Sequence, residues 1–207
     1  MELPGRIAVV TGAAVHTGRA IARRLAHEGT VVVAAAAPGP HILVNNAGGG
    51  GHIEPHFPDA TPAEWTALLD LNLRSAMLAT QLALDPMNRA GGGAVVNIAS
   101  VAGLGLADYQ SPEYAAAKAG LIRFTSTLAP LHERKNVRVN CIAPDWIATE
   151  RAQEELRQMS AAERAERPTP VPMEAIAEAA LELVRDETAA GKVLALYGTG
   201  PAQRLNP

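Results

Sequence analysis

Short runs of apolar residues alternate along the chain with longer stretches in which apolar positions recur every third or fourth residue. Six runs are strand-like, at residues 7–11, 30–34, 42–45, 94–99, 137–142 and 193–197. They are almost continuously apolar, as in Ile42-Leu-Val-Asn45, which is how strands covered on both faces of a parallel sheet read. Residues 19–28, 62–88, 112–134 and 173–185 carry the 3.6-residue spacing of amphipathic helices. The alternation predicts an α/β fold with a doubly wound parallel sheet, and residues 1–207 are read as a single domain. Residues 150–172 break the pattern: they are charged, rich in alanine and end in Arg167-Pro-Thr-Pro-Val-Pro172. One or two short helices and a linker are expected there, forming a lid beside an active site.

One join is too short for this scheme. Only Ala35-Ala-Ala-Pro-Gly-Pro-His41 separates the second strand from the third, whereas a parallel crossover takes about a dozen residues or more. The expectation is a segment missing between these two strands.

Composition narrows the function by exclusion. The chain has 18 Lys and Arg against 21 Asp and Glu, for a formal charge of −3, with only seven aromatic residues (two Trp, three Tyr, two Phe). No basic cluster interleaves with aromatics, so no nucleic-acid partner is expected. No run of about 18 apolar residues and no basic-then-apolar leader occurs, so no membrane association and a cytoplasmic location are expected. Cys141 is the single cysteine and reads as a small buried residue of a strand. His52 and His56 are spaced by four, but Pro55 opposes the helical turn that would align them and no further ligand completes a set, so no metal is expected.

Chemistry concentrates at three places. Thr11-Gly-Ala-Ala-Val-His-Thr-Gly18 joins the first strand to a helix, a Gly-rich turn of the kind that brings backbone N–H groups to a pyrophosphate. Asn45-Asn-Ala-Gly48 ends the third strand with small residues suited to a cofactor crevice, or simply to a turn. Tyr114 and Lys118 are four residues apart, one helical turn, so phenol and ammonium share a face. A cation so placed lowers a phenol pKa and makes it a usable proton donor and acceptor. Singly, Asn72 also reads as a solvent-facing helix residue, Ser100 as a turn serine and Ser111 as a helix cap.

Taken in order, Thr11-Gly12 with Gly18, Asn45-Asn-Ala-Gly48, Asn72 in Leu-Asn-Leu, Asn97-Ile-Ala-Ser100, Tyr114-x-x-x-Lys118 and Pro144-Asp-Trp-Ile-Ala-Thr149 resemble the short-chain dehydrogenase/reductase family over almost the whole chain. The resemblance implies a Rossmann-type fold and an NAD(P)-dependent oxidoreductase interconverting a secondary alcohol and a ketone. It implies a catalytic set in which Tyr114 exchanges a proton with the substrate oxygen and Ser100 hydrogen-bonds that oxygen. Lys118 holds the nicotinamide ribose and lowers the tyrosine pKa, and Asn72 supports a water-linked proton path. By the same likeness the cofactor is held by Thr11, Gly12, Ala14, His16, Thr17, Gly18, Asn45, Ala47 and Gly48, with Tyr114, Lys118, Pro144, Ile147 and Thr149. The substrate meets Ser100, Gln110, Ser111 and Tyr114. The Pro144-Asp-Trp146 segment and the Gln110-Ser-Pro-Glu-Tyr114 approach are most similar to members that resemble 15-hydroxyprostaglandin dehydrogenase. A homodimer or homotetramer packed through the two long helices is implied.

Three departures qualify the likeness. His16 stands where the family has its second glycine, which costs strain of about 1–3 kcal/mol if the backbone has positive φ there. Asp145 replaces a glycine. The second strand ends in Ala34-Ala-Ala-Ala37, without the acidic or basic residue that reads the adenosine ribose. The absence of a basic residue between Gly12 and Gly18 favours NAD, with NADP left open by Arg19. These departures also motivate a rival reading, a dinucleotide-binding regulator of the same fold without turnover.

Overall fold

The computed structural model describes residues 1–33, 39–105 and 109–205. Strands β1 (Ile7–Val10), β2 (Val31–Val33), β3 (Ile42–Asn45), β4 (Gly93–Ile98), β5 (Val137–Pro144), β6 (Val193–Leu196) and β7 (Gln203–Leu205) form one sheet in the order β2-β1-β3-β4-β5-β6-β7. The first six are parallel; β7, which no sequence pattern announced, pairs antiparallel with β6. The helices are α1 (His16–His27), α2 (Pro62–Leu69), α3 (Ser75–Arg89), α4 (Pro112–Thr127), α5 (Leu131–Lys135), α6 (Glu150–Gln158), α7 (Ala161–Glu166) and α8 (Met173–Arg185). This is the doubly wound, Rossmann-type α/β architecture expected from the alternation.

Period-two alternation in the strands sorts the core into two layers. Ala8, Val10, Ile42, Val44, Ala94, Val96 and Ile142 face one way and pack with Ile21 and Leu25 of α1 and Ile176, Leu183 and Val184 of α8. Leu43, Val95, Val137 and Val139 face the other way, onto Ala83 and Met87 of α3 and Leu131 of α5. Farther along that face Cys141 and Ala143 meet Ala76 of α3 and Leu121 of α4. Every residue of β3 to β6 is buried, which explains their unbroken apolar runs. At the far edge Ile7 and Val9 are only partly covered and Val31 is 55% exposed.

That edge is where the short join lies. Residues 34–38, on which the missing-segment expectation falls, are outside the described residues. Their flanks are well placed: Val33 and Leu43 both stand opposite Val9, one on each side. Two strand spacings are about 10 Å, within the roughly 25 Å that seven extended residues reach. The three residues of β2 form the sheet edge, where the usual six-stranded order would add another strand.

Two predicted helices are modified. The stretch predicted at 62–88 is α2 and α3 joined by a π-helical turn, Asp70–Arg74, the kind of bulge that often marks functional positions. The helix predicted at 112–134 breaks before α5 at Pro130, which lacks the N–H to continue it, and α5 ends on Asn136 at φ 53. Residues 150–172, expected to form one or two short helices and a linker, hold α6 and α7. The buried guanidinium of Arg138 on β5 donates to the Leu183, Val184 and Asp186 carbonyls at 2.8, 2.8 and 2.7 Å, satisfying the end of α8 where the helix dipole favours a cation.

Candidate active site

The β1–α1 turn is built around two glycines. Gly12 has φ +67, and a methyl group on Gly18 would fall 2.3 Å from the Gly12 carbonyl oxygen, so only glycine allows the first turn of α1 to approach β1 this closely. His16, which opens α1, has φ 47. The positive φ on which the expected strain depended is therefore present, at about 1–2 kcal/mol for a residue with a Cβ. Thr17 is buried under the turn while Ala14 is exposed. The Thr11 hydroxyl accepts from the Asn46 and Ala47 amides at 3.0 and 2.9 Å, and Asn46 Nδ2 returns a bond to the Thr11 carbonyl at 3.0 Å. These bonds lock the β1 turn to the end of β3. Asn46, the second asparagine of the motif, thereby joins the two halves of the crevice.

Asn45, expected in the cofactor crevice, points into the core instead. Its Nδ2 donates to Asn97 Oδ1 at 2.8 Å and Thr80 Oγ1 at 3.1 Å, and Asn97 Nδ2 donates to Thr125 Oγ1 at 2.9 Å. This buried polar chain ties β3 and β4 to α3 and α4, and it commits the Asn45 amide nitrogen to the core.

The four proposed catalytic residues converge just beyond the carboxyl ends of β3 and β4. Asn72 lies in the π-helical turn and clasps Gly49 from both sides, accepting from its N–H at 2.8 Å and donating to its carbonyl at 2.9 Å. A methyl group on Gly48 would lie 2.8 Å from Asn72 Oδ1 and 3.2 Å from Lys118 Nζ, so both side chains meet over this glycine. Lys118 Nζ donates to the Ile98 carbonyl at 3.0 Å and sits 5.5 Å from the centroid of the Tyr114 ring. Ser100 caps a 3₁₀ turn, Val101–Gly103, by accepting from the Ala102 N–H at 3.2 Å. That turn is pressed onto α4: a methyl group on Gly103 would fall 2.4 Å from the Ala119 nitrogen. The close packing brings Ser100 to Tyr114.

The electrostatics differ from those the spacing suggested. Burial pushes the Tyr114 phenol up to about 12, Tyr109 adds to the rise, and a hydrogen bond with Ser100 pulls the other way. Burial brings the Lys118 ammonium down to about 8, opposed by Cys141. Burial, and not the neighbouring ammonium, sets the direction of the phenol shift here: Lys118 is engaged by a carbonyl and faces the ring rather than the hydroxyl. Burial likewise pushes the Cys141 thiol up to about 12, with Lys118 opposing.

The remaining positions divide. Ser111 is fully buried and caps α4 by accepting from the Tyr114 N–H at 3.4 Å; its hydroxyl serves the helix, so the capping alternative holds and the substrate assignment does not. Gln110 is exposed and donates to Glu54 Oε1 at 3.3 Å. Pro144 ends β5, Ile147 bridges Val171 and packs on the core, and Thr149 caps α6 by accepting from the Ala152 N–H at 3.3 Å. Three residues near the tyrosine had no local signal. Tyr109 stacks on Tyr114 with ring centroids 5.9 Å apart. His56 and Glu113 form a buried pair, Nδ1 to Oε1 at 3.0 Å, across 57 positions of sequence.

A Gly-rich β1–α1 turn, a tyrosine–lysine helix and an Asn-bearing turn at one end of a parallel sheet define a dinucleotide-dependent type of site. Residues 37–160 match the family profile described as short chain dehydrogenase, and the chain belongs to the short-chain dehydrogenase/reductase family. Nodulation protein G of Rhizobium sp. is 31% identical over 186 residues, covering 70% of this chain and 75% of that protein. The 3-oxoacyl-[acyl-carrier-protein] reductase FabG of Chlamydia muridarum is 45% identical over 87 residues, 42% of this chain and 35% of that one. D-beta-hydroxybutyrate dehydrogenase of Cupriavidus necator is 38% identical over 118 residues, 57% of this chain and 45% of the enzyme. The match therefore spans less than half the length of these last two relatives. A short-chain dehydrogenase/reductase from Burkholderia xenovorans superposes with a TM-score of 0.80 at 29% identity, over 95% of this chain and 96% of that one.

Proposed function

We propose that the protein is an NAD(P)-dependent oxidoreductase that interconverts a secondary alcohol and a ketone. The observation that carries this reading is the meeting of Asn72 and Lys118 over Gly48, with Tyr114 and Ser100 alongside. The names of the relatives, which reduce a 3-oxoacyl group or oxidise a β-hydroxy acid, favour a carbonyl two carbons from a carboxyl or thioester group as the substrate class.

The crevice suits a dinucleotide at one end better than at the other. The N–H groups opening α1 and the glycines of the turn suit a pyrophosphate, and the polar groups around Gly48 suit the nicotinamide ribose. Residues 34–37 are all alanine, so no side chain there hydrogen-bonds the adenosine ribose. The preference for NAD over NADP rests on the lack of a basic residue between Gly12 and Gly18. When bound, the nicotinamide supplies or takes the hydride. Thr11, Gly12, Ala47 and Gly48 would line its path, with Pro144, Ile147 and Thr149 on the opposite wall.

In the reducing direction Tyr114 donates its phenolic proton to the substrate oxygen while Ser100 stabilises the charge gathering there. A phenol near 12 is fully protonated at neutral pH and suits this role. Lys118 and Asn72 hold the backbone beside it and lie on the route for proton resupply. In the oxidising direction Tyr114 takes the proton from the substrate alcohol, so the phenol must first ionise. The exposed α3 side chains Leu78 and Leu82, at 52% and 68% exposure, support an oligomer packed through the long helices. Among the described residues no helix is long and apolar enough to cross a membrane; a cytoplasmic location is part of this proposal.

A second reading, a dinucleotide-binding regulator, is favoured by the strained His16 in the cradle. Fluorescence titration with NADH and NADPH, followed by turnover assays on β-keto thioesters and simple ketones, separates the two: binding without turnover selects the regulator. Tyr114→Phe is expected to reduce turnover by about 10²-fold or more with cofactor affinity kept within a few-fold; retained activity removes Tyr114 from the mechanism.

A further inference from the structure

The loop after β3 touches the proposed catalytic machinery at three successive points. Gly49 is held by Asn72 through two hydrogen bonds. Gly51 lies flat on the tyrosine, where a methyl group would fall 2.8 Å from Tyr114 Cγ and 2.9 Å from Cδ1. His56 and Phe57 then reach the first turn of α4: His56 Nδ1 lies 3.0 Å from Glu113 Oε1, and the Phe57 N–H donates to Glu113 Oε2 at 3.4 Å.

The His56–Glu113 contact is built as an interior one, with the two side chains 8% and 7% exposed. A carboxylate only accepts, so His56 Nδ1 is the donor whatever the charge of the ring. Burial raises the Glu113 pKa, yet bonds from its own backbone, His56, Phe57 and Ser111 outweigh that and hold it below the usual range. His56 Nε2 is sealed off with no partner among the described residues. A buried polar contact that leaves one ring nitrogen unsatisfied costs free energy, and a surface loop needs no such contact to close.

We propose that Glu113 and His56 are positioning residues for Tyr114, clamping the loop onto the amino terminus of α4 so that the Gly51 backbone covers the phenol ring. The catalytic half of this inference rests on the oxidoreductase reading above; the structural half does not. Glu113 adjoins Tyr114 in the same helical turn, so the carboxylate that anchors the loop moves with the tyrosine. Among the described residues, the other groups facing the ring are Tyr109, Ser100 and Lys118. None of these three hydrogen-bonds to His56 or Glu113 there, so loosening the clamp acts first on the cover of the ring.

The test uses the full chain labelled with ¹³Cζ-tyrosine, the Tyr114 signal being the one lost in Tyr114→Phe. His56→Leu removes the donor; His56→Asn puts an amide N–H near the position of Nδ1. With the ring uncovered, His56→Leu is expected to show at least about threefold more Tyr114 tyrosinate than the natural protein near pH 11. Its kcat is expected to fall by about tenfold with KM for NADH within about twofold, and His56→Asn is expected to restore both. An unmoved Tyr114 titration in His56→Leu, or equal behaviour of the two variants, overturns the proposal. Should His56→Leu fail to fold, Glu113→Gln keeps the shape but turns one of the two acceptor oxygens into an NH2 donor, so one of the two bonds must be lost; unchanged exchange of the Phe57 amide and unchanged Tyr114 titration there overturn it equally. If the natural protein turns over no substrate, the oxidoreductase reading fails while the tyrosine titration still decides the clamp.

Discussion

Replacing Lys118 by methionine should make the protein more stable at neutral pH while abolishing its proposed chemistry. Lys118 is 3% exposed, and its ammonium is brought from 10.5 to about 8 chiefly by burial. At about 1.36 kcal/mol per pH unit, that gap means the charged form destabilises the fold by about 3 kcal/mol below pH 8. Methionine keeps the length of the stem and removes the charge. It also removes the 3.0 Å bond to the Ile98 carbonyl, a loss of about 1–2 kcal/mol. The net expectation is a gain of about 1–2 kcal/mol, or roughly 2–6 °C in melting temperature for a domain of this size. The sign must change with pH. Between about 8 and 10.5 the unfolded chain holds a proton on Lys118 that the folded chain has released, so the natural protein gains stability as pH rises through that window. The advantage of Lys118→Met therefore shrinks above pH 8, is gone at about pH 9–9.5 and reverses above that. Paired thermal melts at pH 7 and pH 10 check this. A variant that melts lower than the natural protein at pH 7, or by the same difference at both pH values, would refute the reasoning.

His16→Gly relieves the left-handed backbone at φ 47; set against the entropy of glycine, the net gain is up to about 1 kcal/mol. NADH should bind about threefold or more tightly once the imidazole is gone from the pyrophosphate approach, and a fluorescence titration showing equal or weaker binding would contradict this. Gly103→Ala forces a methyl group to within 2.4 Å of the Ala119 nitrogen and should lower stability by about 1–3 kcal/mol, measured by urea unfolding. It should reduce turnover as well by displacing Ser100; an unchanged unfolding midpoint would show that the 3₁₀ turn yields freely.

What the sequence disclosed follows from which forces are local. Strand β3 and helix α8 occupy the residues predicted for them, because burial on both faces of a strand and on one face of a helix leaves a period that composition alone reveals. Strand β7, with Gln203 and Arg204 exposed, carries no such period. The π-helical turn at Asn72 changes the phase of a helix whose residues are ordinary helix formers, so nothing in their order marks it. Asn45 and Ser111 could not be assigned from their order for one reason: the residue types that bind ligands also cap helices, as Ser111 also reads, and satisfy buried neighbours, and only the direction of the side chain separates the roles. The pair of Tyr114 and Lys118 was legible as a spacing, but its electrostatics depended on how deeply the fold buries both groups. The His56–Glu113 contact joins a loop to a helix 57 positions away, and no window along the chain contains it.

Cys141 gives the protein an internal clock. It is the single thiol in 207 residues, fully buried on β5 between β4 and β6, and its thiol is pushed up to about 12. The thiolate is the nucleophile that attacks a thiol reagent, so this sulfur reacts only when the middle of the sheet comes apart and exposes it. The labelling rate of the unmodified chain therefore measures how often its central strand opens, with no second cysteine to confuse the signal. Slower labelling in the presence of NADH would reveal that the dinucleotide braces the sheet itself, before any substrate has been found.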